Sequence, residues 1–469
     1  MSRRIHLRIA SLATSILLTG CISLAPDYER PAAPVAAVFP AQSAGTVSTN
    51  VEHAYDLDWQ RFFTDPRLKR LIELALHNNR DLRIAVLNIE QARAQYRIRR
   101  ADQWPTVSAG IAGSRQPSGD GEISSLYTAG LAVTAYELDF FGRVRNLGGV
   151  AQAQYLSTEE ARKTAQIALI STLANTYLSL VADEELLELT RQTIVTREES
   201  FKLTKLKFDN GAASEMDYRQ AESLLEGARA TLAQLRRQRA LDENSLALLI
   251  GQPLPADLPQ GISIVAQQLP ELPVGLPSEV LIRRPDVLQA EQQLIAANAD
   301  VGAARAAFFP RITLTGSVGR ASTELSALFK DGASAWTFAP QLLLPIFDAG
   351  RNRATLNVAK TGHEIAVAQY EKAIQVAFRE VADALAGRAT LDEQARAQKA
   401  QANAEAVRFK LADLRYRNGA ASYLDVLDAQ RSLFATQLLA VQVQTALIQN
   451  QVTLYKTLGG GWKSSAVGQ

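Results

Sequence analysis

The chain has 469 residues, with 50 Lys and Arg against 48 Asp and Glu, and one Cys. The near-balance of charge argues against a nucleic-acid footprint. A single Cys excludes a disulfide framework, and the four His are scattered with no metal-ligand spacing between them.

The N-terminus reads as a targeting segment. Arg3, Arg4 and Arg8 precede a short apolar core at residues 9–18, too short for a membrane-spanning helix. Leu18-Thr19-Gly20-Cys21 resembles the bacterial lipobox, in which the Cys is diacylated and becomes the first residue after cleavage. Residue 22 is Ile rather than Asp, which by resemblance to lipoprotein sorting rules favours the outer membrane. Without residues 1–20 the chain carries 47 basic and 48 acidic residues. No later stretch reaches 18 uninterrupted apolar residues, so no helical membrane span is expected.

A helical pattern covers residues 65–103. Two extended segments follow. Val107, Ala109, Ile111 and Gly113 alternate with Thr106, Ser108, Gly110 and Ala112. Leu131, Val133 and Ala135 alternate with Ala132, Thr134 and Tyr136. This period of two fits membrane β-barrel strands and equally an ordinary two-faced hairpin. From Arg145 to Phe208 there is no Pro, and good helix formers dominate. That predicts a helix of about 64 residues, roughly 95 Å long. Asn210-Gly211 then reverses the chain into a return helix over residues 214–250, with Ser214 as N-cap. A Pro-rich stretch, residues 253–277, comes next.

The plan then repeats. A helical pattern occupies residues 278–308. Two alternating segments follow at residues 312–318 and 336–342, then a Pro-free run from Arg351 to Tyr416. Asn418-Gly419 makes a second turn into a return helix over residues 422–458. Gly142-Arg143 and Gly350-Arg351, the turn glycines Gly211 and Gly419, and Gly251 and Gly459 are each 208 residues apart. Asn79-Arg80-Asp81 and Arg284-Pro285-Asp286, and Trp104-Pro105 and Phe309-Pro310, are offset by 205. A repeat of about 200 residues is too long for a solenoid, so it marks duplication of a whole unit. Four strands cannot close a barrel, which needs about eight, and open sheet edges are not tolerated in lipid. Strands that enter a membrane must therefore be shared between chains.

The motifs resemble those of the TolC family of outer-membrane factors, in the OprM-like lipoprotein branch that serves resistance-nodulation-division efflux pumps. Pro26-Asp27-Tyr28, Arg30-Pro31 and Pro34 resemble its N-terminal segment. Trp59, Phe62-Phe63, Asp65-Pro66, Leu68, Asn79, Asp81 and Leu82 resemble its first equatorial motif. Arg283-Arg284-Pro285-Asp286, Ala290-Glu291, Asp348-Ala349-Gly350-Arg351 and Leu427-Asp428-Ala429-Gln430-Arg431 resemble its second-repeat signatures. The likeness runs over roughly residues 26–461.

The resemblance implies α plus membrane β architecture. Four strands and very long coiled-coil helices per protomer form, as a homotrimer, a twelve-stranded barrel and a twelve-helix periplasmic tunnel, with a mixed equatorial domain. The implied organisation is a signal peptide at 1–20, an anchored N-terminal segment at 21–64, repeat one at 65–252, an inter-repeat segment at 253–277, repeat two at 278–461 and a tail at 462–469. It implies a passive exit duct for small molecules, working with a periplasmic adaptor and an inner-membrane pump. No cofactor is implied beyond lipid on Cys21, and no enzymatic activity.

The family's periplasmic gate maps to the turns. Asp217 and Asp425 each lie six residues after their turn glycine, Asp428 lies nine after Gly419, and Tyr416 lies three before it. Where some members carry an Arg two residues after the second turn glycine, this chain has Ala421. Arg219 or Arg431 is the candidate substitute. Two other readings stay open: a type I protein-secretion duct, and a structural periplasmic coiled-coil lipoprotein. The lipobox and the Arg-Arg-Pro-Asp motif argue against the first, and the four strands against the second.

Overall fold

A computed structural model describes residues 23–40, 55–117, 121–272 and 278–462. In chain order the described elements are short helix α1 (Trp59–Phe62), α2 (Pro66–Asn78), α3 (Arg80–Ala101), strands β1 (Val107–Pro117) and β2 (Ile123–Leu138), and α4 (Arg143–Asp209). Then come α5 (Glu215–Ile250), α6 (Pro285–Ala306), β3 (Arg311–Ser322), β4 (Ser334–Leu343), α7 (Arg351–Arg417) and α8 (Tyr423–Thr457). Single 3-10 segments occur at Ile264–Ala266, Ser278–Arg283 and Leu325–Ala327.

The two long helices are 67 residues each, about 100 Å at 1.5 Å per residue. α4 holds an 18-residue window apolar enough to cross a membrane by length and composition. Two thirds of that window, 67%, is buried within the protein, which is how a packed seam behaves.

The helical pattern over residues 65–103 proves to be two helices. Asn79 sits between them in extended conformation (φ −61°, ψ 130°), and its side-chain oxygen accepts from the Leu82 amide at 2.9 Å. The repeat-equivalent Arg284-Pro285 marks the matching break, because Pro cannot continue the preceding turn.

The chain divides into two compact units. One comprises residues 1–33, 87–160 and 288–373 and holds the sheet. Its four strands are antiparallel in the order β1-β2-β3-β4, so β1 and β4 are edges. Rows across the sheet separate by polarity. Ala109, Leu131, Val318 and Trp336 lie side by side on one face, and Ser108, Ala132, Ser317 and Thr337 in the adjoining row on the other. Trp336 is 75% exposed and Val318 60%, whereas the Ser317 and Thr337 hydroxyls hydrogen-bond at 2.7 Å. Gly130 faces Gly319 across β2 and β3. A Cβ on either would fall 2.2–2.4 Å from the opposite backbone oxygen, so only glycines allow this pairing.

At the foot of the sheet Glu137 accepts from Arg143 at 2.6 Å and also pairs with Arg311 at 2.6 Å. In the same unit the N-terminal segment is laid along α6. Arg30 makes a bidentate pair with Glu291 at 2.7 and 2.9 Å. Asn298 donates to the Pro26 carbonyl and Arg305 to that of Leu24.

The second unit comprises residues 34–86, 161–287 and 374–469. Phe62 stacks on Tyr455 with centroids 3.9 Å apart, and Tyr455 donates to the Leu57 carbonyl at 2.5 Å. Asp65 is fully buried. It caps α2 through the Arg67 and Leu68 amides and accepts from Tyr177, Ile262 and Gln267 at 2.7–2.9 Å. The Asp-Pro motif therefore ties the inter-repeat segment to both α2 and α4. Arg284 does the same for the second repeat. Its buried guanidinium pairs with Asp286 at 2.6 Å and Glu380 at 2.7 Å, and donates to the Thr457 carbonyl at 2.8 Å. Among the described residues of the Pro-rich stretch there is no strand, only the 3-10 turn at Ile264–Ala266.

Candidate functional site

The two helical hairpins end in near-identical turns. Gly211 and Gly419 both take φ of 72°, a left-handed conformation that suits glycine. The Gly211 and Ala212 amides donate back to the Phe208 and Lys207 carbonyls. Gly419 and Ala420 do the same to Tyr416 and Arg415. Asn210 and Asn418 each fold their side-chain amide onto the carbonyl four residues earlier, at 2.7 Å. Each helix thus ends with its last carbonyls satisfied, and the chain reverses in a few residues.

The candidate acids meet three different fates. Asp217 closes a capping box: the Ser214 hydroxyl donates to its carboxylate at 2.7 Å, and the Asp217 amide donates to that hydroxyl at 3.1 Å. Asp425 occupies the equivalent place behind Ser422, but no side-chain cap forms there. Asp425 is exposed, and its carboxylate has no hydrogen-bond or ion partner among the described residues. Asp428 is clamped by two guanidiniums, Arg408 from α7 and Arg431 one turn further along α8, each at 2.5 Å. The Arg408 hydrogen bond, with Arg431 adding its charge, holds the Asp428 carboxyl below the usual carboxylate range. Of the two candidate substitutes for the missing Arg, Arg431 therefore serves Asp428. Arg219 is engaged with Glu215 and Glu222 on its own helix.

Tyr416 has a partner that sequence reading missed. Lys207, at the end of α4, hydrogen-bonds the Tyr416 hydroxyl, and its ammonium lies 4.7 Å from the centre of that ring. Tyr423 packs against Tyr416 with centroids 4.9 Å apart and donates to the Ser200 carbonyl on α4 at 3.2 Å. A cation and two tyrosines thereby fasten the second hairpin to the first. One signal pointed here: Lys207 is the repeat mate of Arg415. The neighbouring pairs are mirrored with charge reversed, Lys205 with Asp209 at 3.0 Å and Asp413 with Arg417 at 2.9 Å.

Cys21 lies outside the described residues. No cluster of His, Cys, Asp and Glu able to hold a metal occurs among the described residues.

Known proteins resemble the chain along nearly all its length. The profile of the family described as "Outer membrane efflux protein" matches residues 71–252 and 276–460. "Probable efflux pump outer membrane protein TtgC" of Pseudomonas putida is 47% identical over 462 residues, covering 97% of this chain and 96% of that protein. "Outer membrane protein OprJ" of Pseudomonas aeruginosa is 46% identical, with the same coverage. Among solved structures, the open state of the Neisseria gonorrhoeae MtrE outer membrane channel superposes with a TM-score of 0.87 at 42% identity. That match covers 94% of this chain and 99% of that one. A membrane protein from Pseudomonas aeruginosa gives 0.85 at 46% identity, covering 94% and 98%.

Proposed function

The chain belongs to the outer membrane efflux protein family, and from that membership we infer its function. It is the outer-membrane exit duct of a tripartite efflux pump, a passive conduit across the periplasm and outer membrane. It acts as a homotrimer with a periplasmic adaptor and an inner-membrane pump. The observation that carries this is the sheet. One face is apolar and exposed, the other is polar, and both edges are unpaired among the described residues. Lipid forbids such edges. Three copies of β1–β4 close twelve strands into one barrel, apolar face to lipid and polar face to the lumen. The four long helices of each copy build a tunnel.

Relatives are named for the efflux of toluene, of solvents and of antibiotics, and small organic compounds of that kind are the proposed cargo here. Cys21 is proposed as the lipidated residue, with residues 21–64 as the anchored segment ahead of repeats at 65–252 and 278–461. The docking of Leu24, Pro26 and Arg30 on α6 supports a tether that begins close to the sheet. For the gate, the turns at Gly211 and Gly419 are proposed as the periplasmic end. Lys207–Tyr416 is the latch, and three copies of Asp425 form the ring of free carboxylates. Asp428, neutralised by Arg408 and Arg431, braces α7 against α8, and Asp217 shapes the first turn. A ring of unpaired carboxylates focuses a negative field in a narrow pore and favours cations.

The test is reconstitution. The mature protein in mild detergent should run as a trimer and open discrete conducting steps in planar bilayers. A stable monomer that conducts nothing would overturn the reading.

A further inference from the structure

A cavity of about 170 Å³ lies between α4, α7 and α8 and is lined by Thr193, Thr196, Phe409 and Leu433 among others. Two polar side chains on its wall are more than nine-tenths buried, Arg197 (5% exposed) and Gln430 (7%). Arg197 donates from Nη1 to the Leu224 carbonyl at 2.6 Å and sets its guanidinium 4.8 Å from the Phe434 ring centre. Its Nε has no partner, and no carboxylate pairs with it among the described residues. Gln430 donates from Nε2 to the Ser200 hydroxyl at 3.2 Å, while its Oε1 is left without a donor.

A buried guanidinium without a counter-charge is costly, and so is an amide oxygen without a donor. Burial alone pushes the Arg197 guanidinium down from its ordinary value, with no acid offsetting the shift. One wall of the cavity thus asks for an anion and a hydrogen-bond donor. The rest of the wall is mixed, with Phe409, Leu433 and Leu189 beside Thr193, Thr196 and Gln437. About 150 Å³ suffices for a benzene ring.

We propose that this cavity binds a small aromatic hydroxycarboxylate, its carboxylate on Arg197, its hydroxyl on Gln430 and its ring against Phe409 and Leu433. The site lies within one protomer, so its failure leaves the channel reading untouched.

The probe is 4-hydroxybenzoate, with benzoate as the comparison, added to the mature trimer in detergent during thermal unfolding. Millimolar 4-hydroxybenzoate should raise the midpoint by a few degrees and benzoate by less, since a ligand that binds only the folded state stabilises it by mass action. Arg197→Gln should abolish both shifts. Gln430→Leu, which keeps the charge, should make the two compounds equivalent, and it serves as the test if Arg197→Gln does not assemble. The proposal fails if the wild type ignores both compounds, or if Arg197→Gln responds as the wild type does. It fails equally if Arg197→Gln loses the trimer while the wild type shows no response.

Discussion

Asp217 and Asp425 stand six residues after their turn glycines, yet only Asp217 closes on its own N-cap. Two carboxylates at equivalent places in a duplicated chain have thus parted in role. Asp217→Ala should lower thermal stability by about 1 kcal/mol per protomer, the typical worth of a helix cap, with little change in divalent-cation block. Asp425→Ala should leave stability nearly unchanged, raise single-channel conductance and weaken that block. Replacing Asp425 and Asp428 together should do so more strongly. Substitution of half-buried acids distant in sequence from the turns, Glu159 and Glu160, should change neither conductance nor block. Planar-bilayer recordings with and without a divalent cation decide it, and an Asp425→Ala channel that behaves as wild type places the constriction elsewhere.

The Lys207–Tyr416 contact crosses from one hairpin to the other. Tyr416→Phe keeps the ring and removes the hydroxyl, whereas Lys207→Met removes the cation. Each change should raise the fraction of time the channel is open. The double variant should add little to either, because both lose one interaction. Fully additive effects on open probability would show that the two residues act separately.

Asp183 on α4 and Asp242 on α5 supply the pH dependence. Burial, and then the hydrogen bond between the two carboxyls, pushes the Asp183 carboxyl up to about 7. Arg239 opposes that shift, and Glu184 adds to it. Because the folded value lies above the ordinary one, the folded state holds a proton that the unfolded chain releases. Stability is therefore greatest below about pH 4 for this pair and is lost as pH rises through about 7. Trimer melting should fall by several degrees between pH 5 and pH 8. Asp183→Asn should flatten that slope, since an amide donates without ionising. An unchanged slope in the Asn variant would remove this pair from the account.

Arg284 joins the start of α6 to α7 and to the end of α8. Arg284→Met leaves Asp286 and Glu380 without their shared cation and the Thr457 carbonyl without this donor. A loss of about 3 kcal/mol or more is expected, as for other broken buried pairs. Denaturant midpoints measure it. A loss under about 1 kcal/mol would mean that water replaces the guanidinium at little cost.

Cys21→Ser should block diacylation and slow processing of the precursor, as read by intact mass and gel mobility. The strands should still insert, leaving partial conductance. A wild-type mature chain that begins elsewhere or carries no lipid would refute the anchor.

Much of the architecture was legible because its signals are local. Turn glycines need only a left-handed φ, long helices only Pro-free periodicity, and strands only alternation. Duplication exposed them twice. Even so, β2 runs over Ile123–Leu138, further than its clear alternation at residues 131–136, and the first helix breaks at Asn79, where an extended backbone and an Asn cap interrupt an unbroken pattern. The acids near the turns could be placed by spacing alone. Their chemistry could not, because a carboxylate's partners depend on how neighbouring helices are registered. Ser214 captures Asp217 locally, but Arg408 reaches Asp428 from 20 residues away, and Lys207 meets Tyr416 across 209. The sequence by itself determined the repeat, the turns and the need for several chains to close the sheet, since each follows from backbone geometry and edge hydrogen bonds. Only the tertiary structure decided which acid is free, which is capped and which is clamped. Those outcomes rest on side-chain contacts across helix pairs that no spacing along one chain encodes.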